Sequence, residues 1–171
     1  MKTLTLLRHA KSDWGHSGLA DFDRPLNARG REAARAIGRE MRRLGLRFDR
    51  VLASPAARVI ETLRELAQGY GGAVPTDCDE RLYLAPPERL LAIARKTDDK
   101  AERLLLAGHN PGLQQLALLL GRAGGTHDLI AAKYPTGALA ELRFDVARWK
   151  DVAAGGGALM RFVRPRDLDS D

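Results

Sequence analysis

Short apolar runs that stop abruptly at polar residues recur along the chain, and each is followed by a stretch of helical period. Thr3-Leu4-Thr5-Leu6-Leu7 ends at Arg8-His9-Ala10-Lys11-Ser12, and a helix is expected from about Ala28 to Leu44. Arg50-Val51-Leu52-Ala53 ends at Ser54-Pro55, with a helix to about Gln68. Arg103-Leu104-Leu105-Leu106-Ala107 ends at Gly108-His109-Asn110-Pro111, with a helix to about Leu120. Short buried strands alternating with helices imply βαβ units, and so an α/β fold of three layers, α/β/α, around a mostly parallel central sheet. An edge strand is expected around Ala73 to Thr76, a loop from Asp77 to Ala85, and a helix opened by Pro86-Pro87 and running to about Arg95. The pattern weakens from Gly121 to Gly137, read as mostly loop with one short helix. Alternation returns over Ala138 to Val146 and Ala158 to Val163. The stretch between them ends in three consecutive glycines, so the two form a C-terminal antiparallel hairpin with a mobile tip.

Composition narrows the class. The 171 residues, 44% hydrophobic and 29% charged, suit one globular domain, expected over residues 1–165. Residues 166–171 carry three aspartates and read as a disordered acidic tail. A chain this long can bury about 70% of its unfolded surface and needs no metal or disulfide to fold, in keeping with its single cysteine, Cys78. The apolar start is interrupted at Arg8, too short for a leader's core or a membrane span, so a cytoplasmic protein with no membrane partner is expected. The net charge of +6, with arginine supplying 22 of 28 basic residues, raises the question of nucleic acid. Aromatics are only 5%, too few for stacking platforms, and neither zinc-finger nor RNP-like spacing appears. No nucleic-acid partner is expected, and the charge points to an anionic ligand or partner. The chain is expected to be a monomer.

In an open parallel sheet the loops at the carboxyl ends of the strands share one edge, where ligands bind. The three strand-to-helix junctions therefore become neighbours, bringing together Arg8 and His9, Arg58, and His109. Ser54 with Pro55, and Asn110 with Pro111, read as helix starts that aim two N-termini at the same place, a setting suited to a phosphate dianion. Each residue alone has a plainer reading: Arg58 as a solvated helix residue, His9 as a structural or ligating histidine, the arginines from Arg29 to Arg50 as a charged helix face. The spacing of His9, His16, His109 and His127 matches no helix-borne metal pair, so no metal is expected. Packing alone does not account for two arginines and two helix starts facing one place.

The combination resembles a known family. Leu7-Arg8-His9-Ala10-Lys11-Ser12 with Trp14 is similar to the signature of the histidine phosphatase, or phosphoglycerate mutase-like, superfamily. Ser54-Pro55-Ala56-Ala57-Arg58 with Thr62 is similar to its second arginine motif, and Gly108-His109-Asn110-Pro111 to its second histidine motif. Asp21-Phe22-Asp23-Arg24-Pro25-Leu26 leading to Gly30, and Tyr134-Pro135-Thr136-Gly137-Ala138, resemble the SixA-type phosphohistidine phosphatase branch. The resemblance implies a phosphoglycerate mutase-like fold and a two-step, cofactor-free phosphoryl transfer. His9 would attack phosphorus and form a phosphohistidine that water hydrolyses, while Arg8, Arg58 and His109 bind the phosphoryl oxygens. Lys11, Ser12 and Asn110 would add substrate contacts. The attacking ring must be neutral at one nitrogen, so a hydrogen bond from its other N–H, to backbone, is expected.

One position departs from the family pattern. Where phosphomonoesterases and mutases of the superfamily carry a carboxylate as general acid, Arg81-Leu82-Tyr83-Leu84 has Leu84, with Asp79 and Glu80 nearby but out of register. An alkoxide leaving group needs a proton, whereas imidazole leaves a P–N bond far more easily, so the missing acid suits a phosphohistidine substrate on a protein. A small phosphomonoester is the alternative substrate, with Glu80 as the candidate acid. Little chain is left to wall the pocket beyond Asp13 to Pro25 and Gly121 to Gly137, so an open pocket that a protein side chain can reach is expected.

Overall fold

The computed structural model describes residues 1–168. Its elements in chain order are β1 (Lys2–Arg8), α1 (Ala28–Arg43), β2 (Arg50–Ala53), α2 (Ala57–Tyr70), β3 (Asp77–Cys78), α3 (Pro87–Arg95), β4 (Arg103–Gly108), α4 (Gly112–Leu120), α5 (Gly125–Ala132), β5 (Leu139–Phe144) and β6 (Ala158–Val163). They build one six-stranded sheet ordered β3-β2-β4-β1-β5-β6. The pairs β3–β2, β2–β4 and β4–β1 are parallel, and β1–β5 and β5–β6 are antiparallel. The expected mostly parallel α/β fold with a C-terminal antiparallel hairpin is therefore the observed one.

The strands β1 and β4 are buried along most of their length because both faces of the sheet are covered. Leu4, Leu6, Leu104 and Leu106 pack into a cluster with residues of α3, α4 and α5, while Leu7, Leu105 and Ala107 pack on the other face with residues of α1 and α2. Helix α1 buries Ala34, Ile37 and Met41 on one stripe and leaves its arginines outside, and Asn27 caps it by accepting the Gly30 N–H at 2.8 Å.

Several boundaries differ from the sequence expectation. The edge strand lies at Asp77–Cys78, beyond Ala73 to Thr76, where Leu52 faces Asp77 and Ala53 faces Cys78; Pro75 has no N–H to give to β2. The segment after α4 does hold the one short helix expected there, α5, anchored by buried Ile130. The hairpin connection is tied to the body through Trp149, fully buried, whose Nε1–H donates to the Ala101 carbonyl at 2.6 Å. The 3-10 turn Pro165–Asp167, in which Arg164 pairs with Asp167, runs into the start of the 166–171 stretch expected as an acidic tail; residues 169–171 lie outside the described residues.

Helices α1 and α2 approach backbone to backbone. A Cβ at Gly38 would stand 2.1 Å from the Leu66 carbonyl oxygen, and one at Gly69 would stand 2.0 Å from that of Arg35. Since neither obstacle is a movable side chain, Gly38→Ala is expected to destabilise the protein by about 1–3 kcal/mol, read as a lower urea midpoint at unchanged slope.

Candidate active site

The carboxyl edge of β1 and β4 carries the two histidines one residue past each strand, and the parallel register pairs Arg8 with Gly108. Backbone bonds hold the turn after β1 on three sides. The His9 N–H donates to the Gly108 carbonyl at 3.1 Å, the His9 carbonyl accepts the Gly137 N–H at 2.9 Å, and the Ala10 N–H donates to Thr62 Oγ1 at 2.9 Å. Thr62 in turn donates to the Arg58 carbonyl at 2.6 Å, so α2 and the His9 turn are locked together.

The His9 ring is buried, with Nδ1 at 2.7 Å from the Ala10 carbonyl oxygen. A carbonyl can only accept, so Nδ1 carries the proton and Nε2 keeps its lone pair. This is the backbone hydrogen bond expected from the sequence. Burial, reinforced by the nearby Arg58, His109 and Arg8, lowers the His9 pKa to about 3. The ring is thus neutral at working pH, as an attacking imidazole must be.

His109 stands 5.5 Å from His9, centroid to centroid. Arg58 Nη2 donates to its Nδ1 at 3.2 Å, which leaves the ring proton on Nε2, 2.7 Å from Ser54 Oγ. Burial, followed by Arg58, lowers its pKa to about 4. Ser54 is therefore not the helix cap expected: α2 starts at Ala57, and the serine hydroxyl serves His109 and the Ala56 N–H. Helix α4 starts at Gly112, after a cis Asn110–Pro111 peptide, with Asn110 Oδ1 accepting the Gln114 N–H at 3.2 Å.

Around the two rings lies an open cavity of about 410 Å³, lined by Arg8, Arg24, Arg58, Lys11 and Asp21 as its charged groups. Arg8 donates to the Tyr134 carbonyl at 2.9 Å, a carbonyl that Asn110 Nδ2 also reaches at 3.2 Å. Arg58, 2% exposed, donates to the backbone and side chain of Asp21 at 2.7 and 3.0 Å. Of the sequence-predicted contacts, Lys11 and Asn110 line the cavity. Ser12 also lines it, but its hydroxyl accepts from Arg24. Of the two loops expected to wall the pocket, residues 13–25 supply Trp14, Asp21 and Arg24, whereas the later segment supplies Thr136.

Arg24 and Asp21 were not singled out as site residues in the sequence. Arg24 is buried, with its guanidinium 3.6 Å from the centre of the Trp14 ring and Nη2 3.0 Å from Asp21 Oδ1. The Nε of Arg8, Arg24 and Arg58 is in each case buried without a protein hydrogen-bond partner. Asp21 accepts from Tyr83, Arg24 and Arg58, and these bonds, that of Tyr83 first, hold its carboxyl well below the usual carboxylate range. It is ionised at any working pH and cannot act as a proton donor. The signal for both was the Asp-Phe-Asp-Arg-Pro cluster just past the first motif, which carried a family resemblance but no site role until Asp21 was seen to meet Arg58 of α2. Glu80 is exposed and Asp79 is bound by Arg81, while Leu84 lines the cavity mouth. Among the described residues no group of three or more His, Cys, Asp or Glu side chains could hold a metal ion, and no helix is long and apolar enough to cross a membrane.

With this geometry in view, the family model of the histidine phosphatase superfamily (branch 1) matches residues 4–83. The uncharacterized protein Rv1276c of Mycobacterium tuberculosis is 37% identical over 164 residues, covering 94% of this chain and all of that protein. Among solved structures, a proposed phosphohistidine phosphatase SixA from Nakamurella multipartitia is 28% identical with a TM-score of 0.81 over 96% of each chain. A second, the proposed SixA of Agrobacterium tumefaciens, is 29% identical with a TM-score of 0.77 over 96% of this chain and 98% of that one.

The two neutral imidazoles make stability depend on pH. Unfolded, they protonate near pH 6.5; folded, only near pH 3 to 4. The unfolded chain therefore binds more protons below about pH 6.5, so stability is level above that pH and falls as pH drops. The loss is on the order of 1–2 kcal/mol per histidine at about pH 5. Urea midpoints at about pH 7 and pH 5 check this: His9→Asn and His109→Asn should each flatten the dependence, and curves parallel to wild type would refute it.

Proposed function

The chain belongs to the histidine phosphatase superfamily and is a phosphatase, and on that premise we propose that it hydrolyses phosphohistidine on a protein, such as a phosphotransfer domain, without a metal. The observation that carries the substrate class is the chemistry of the cavity mouth. Leu84 lines it where related phosphomonoesterases carry an acid, and the carboxylate that does line the cavity, Asp21, is held ionised. An alkoxide would find no carboxylic acid there to protonate it, whereas imidazole needs none.

In the first step His9 Nε2 attacks phosphorus and the P–N bond of the substrate breaks. Its electron pair returns to the substrate ring, which leaves as neutral imidazole when its other nitrogen carries a proton. In the second step water attacks phosphorylated His9. The Nε2–P electron pair returns to a ring that has kept its Nδ1 proton on the Ala10 carbonyl, so His9 leaves neutral as well. The proton lost by water passes to the departing phosphate. Arg8, Arg24, Arg58 and Lys11 supply the positive charge that stabilises the transferring phosphoryl group, which is the charge a metal would otherwise bring. His109 has its Nε2 proton on Ser54, so it donates to a phosphoryl oxygen by taking a second proton on Nδ1. A bound dianion favours that uptake by raising the pKa of the ring.

In buffer containing EDTA, wild-type protein should dephosphorylate a phosphohistidine protein much faster than common phosphate monoesters, with acid-labile phosphate trapped on His9, and His9→Ala should lose both turnover and label. Turnover without label on His9 would exclude the covalent route, and inhibition by EDTA would exclude the metal-free one. Glu80→Gln should keep phosphohistidine hydrolysis within a few-fold of wild type; a loss of about 100-fold or more would make Glu80 the proton donor.

A further inference from the structure

Eight large apolar residues are exposed among the described residues; two of them line the mouth of the cationic cavity and two more lie on the loop that carries Asp21. Trp14 and Leu84 line the mouth and are 79% and 55% exposed. Phe22, 39% exposed, packs edge-on against Tyr83, itself in edge contact with His109, and Leu19, 47% exposed, lies two residues before Asp21 on the same loop. The other four lie at the N-terminus and on α4, α5 and β6. Binding a phosphoryl group requires none of this apolar surface, which is unfavourable in water unless something covers it.

Leu84 is held there at a cost. Its φ is +51°, the left-handed region that a leucine avoids, and among the described residues it is the one non-glycine with positive φ. Strain kept in order to present an apolar side chain at a site edge marks a place where contact with something else is made.

Resting on the phosphohistidine reading above, we propose that Leu19, Phe22 and Leu84, with the outer face of Trp14, form the docking surface for the partner protein. The occupant is a folded protein whose phosphorylated histidine is flanked by apolar side chains. Charge complementarity sets the register: four cations against one carboxylate line the cavity and draw in the phosphoryl dianion, and the apolar rim then closes on the surface around it. This is the arrangement of a binding centre sealed by surrounding contacts that exclude water. A small phosphorylated molecule reaches the cavity but leaves the rim uncovered, so the rim acts on KM for protein substrates alone.

The test compares two forms of one chemistry, a histidine phosphotransfer domain phosphorylated on its apolar-flanked histidine and free phosphohistidine, with wild type, Leu19→Ser/Phe22→Ser and Leu19→Gln/Phe22→Gln. Both variants should lose about tenfold in kcat/KM on the domain, through KM, and stay within about twofold of wild type on free phosphohistidine, which also serves as the control for folding. Wild-type turnover of both substrates with no loss in the variants, or equal loss on both, overturns the docking surface and leaves the substrate reading standing. Wild-type turnover of monoesters but of neither phosphohistidine form overturns the substrate reading, and the docking surface with it.

Discussion

Three guanidinium groups crowd one cavity, and the repulsion among them is the constraint that the surrounding structure answers. Bringing Arg8, Arg24 and Arg58 together is unfavourable in a partly buried place, where charges are screened less than in water. Asp21 answers most directly, accepting from Arg24 through one oxygen and from Arg58 through the other. The Tyr134 carbonyl receives Arg8, and the Trp14 ring covers Arg24. Burial first, and Arg58 and Arg8 after it, keep both histidines neutral, so the field that would hold a phosphoryl group adds to what keeps the His9 ring unprotonated.

Asp21 has a double character. It stabilises the cavity as it stands, yet it competes for the donors that a phosphoryl group would use. It is partly exposed at the mouth, and the buried Nε groups of all three arginines are further donors that the protein itself does not use. Beneath this, the site rests on rigid backbone: His9 and His109 follow the two central strands, and Thr62 ties the first turn to α2. A phosphoryl-transfer site needs that rigidity, because its work is positioning and electrostatics.

Much of this was legible in the chain. The short apolar runs of β1 and β4 announced buried strands, and their abrupt polar ends located Arg8, His9 and His109. What misled was local chemistry read locally. Ser54-Pro55 looks like a helix start, but His109 arrives from another strand and takes the hydroxyl. Ala73 to Thr76 looks like an edge strand, but Pro75 has no N–H to offer and the pairing slips to Asp77–Cys78. The place of Asp21 could not be read locally because two of its partners, Arg58 and Tyr83, lie 37 and 62 residues away in sequence.

The sequence by itself determined the fold class, the edge of the sheet where chemistry gathers, and the histidine and arginine motifs, since periodicity and strand ends are properties of neighbouring residues. Only the tertiary structure decided which proton each histidine holds, that Asp21 stays ionised between two arginines, and that the apolar residues of two distant segments meet at the cavity mouth. Those depend on burial and on groups brought together from different elements, and no stretch of chain contains that information alone.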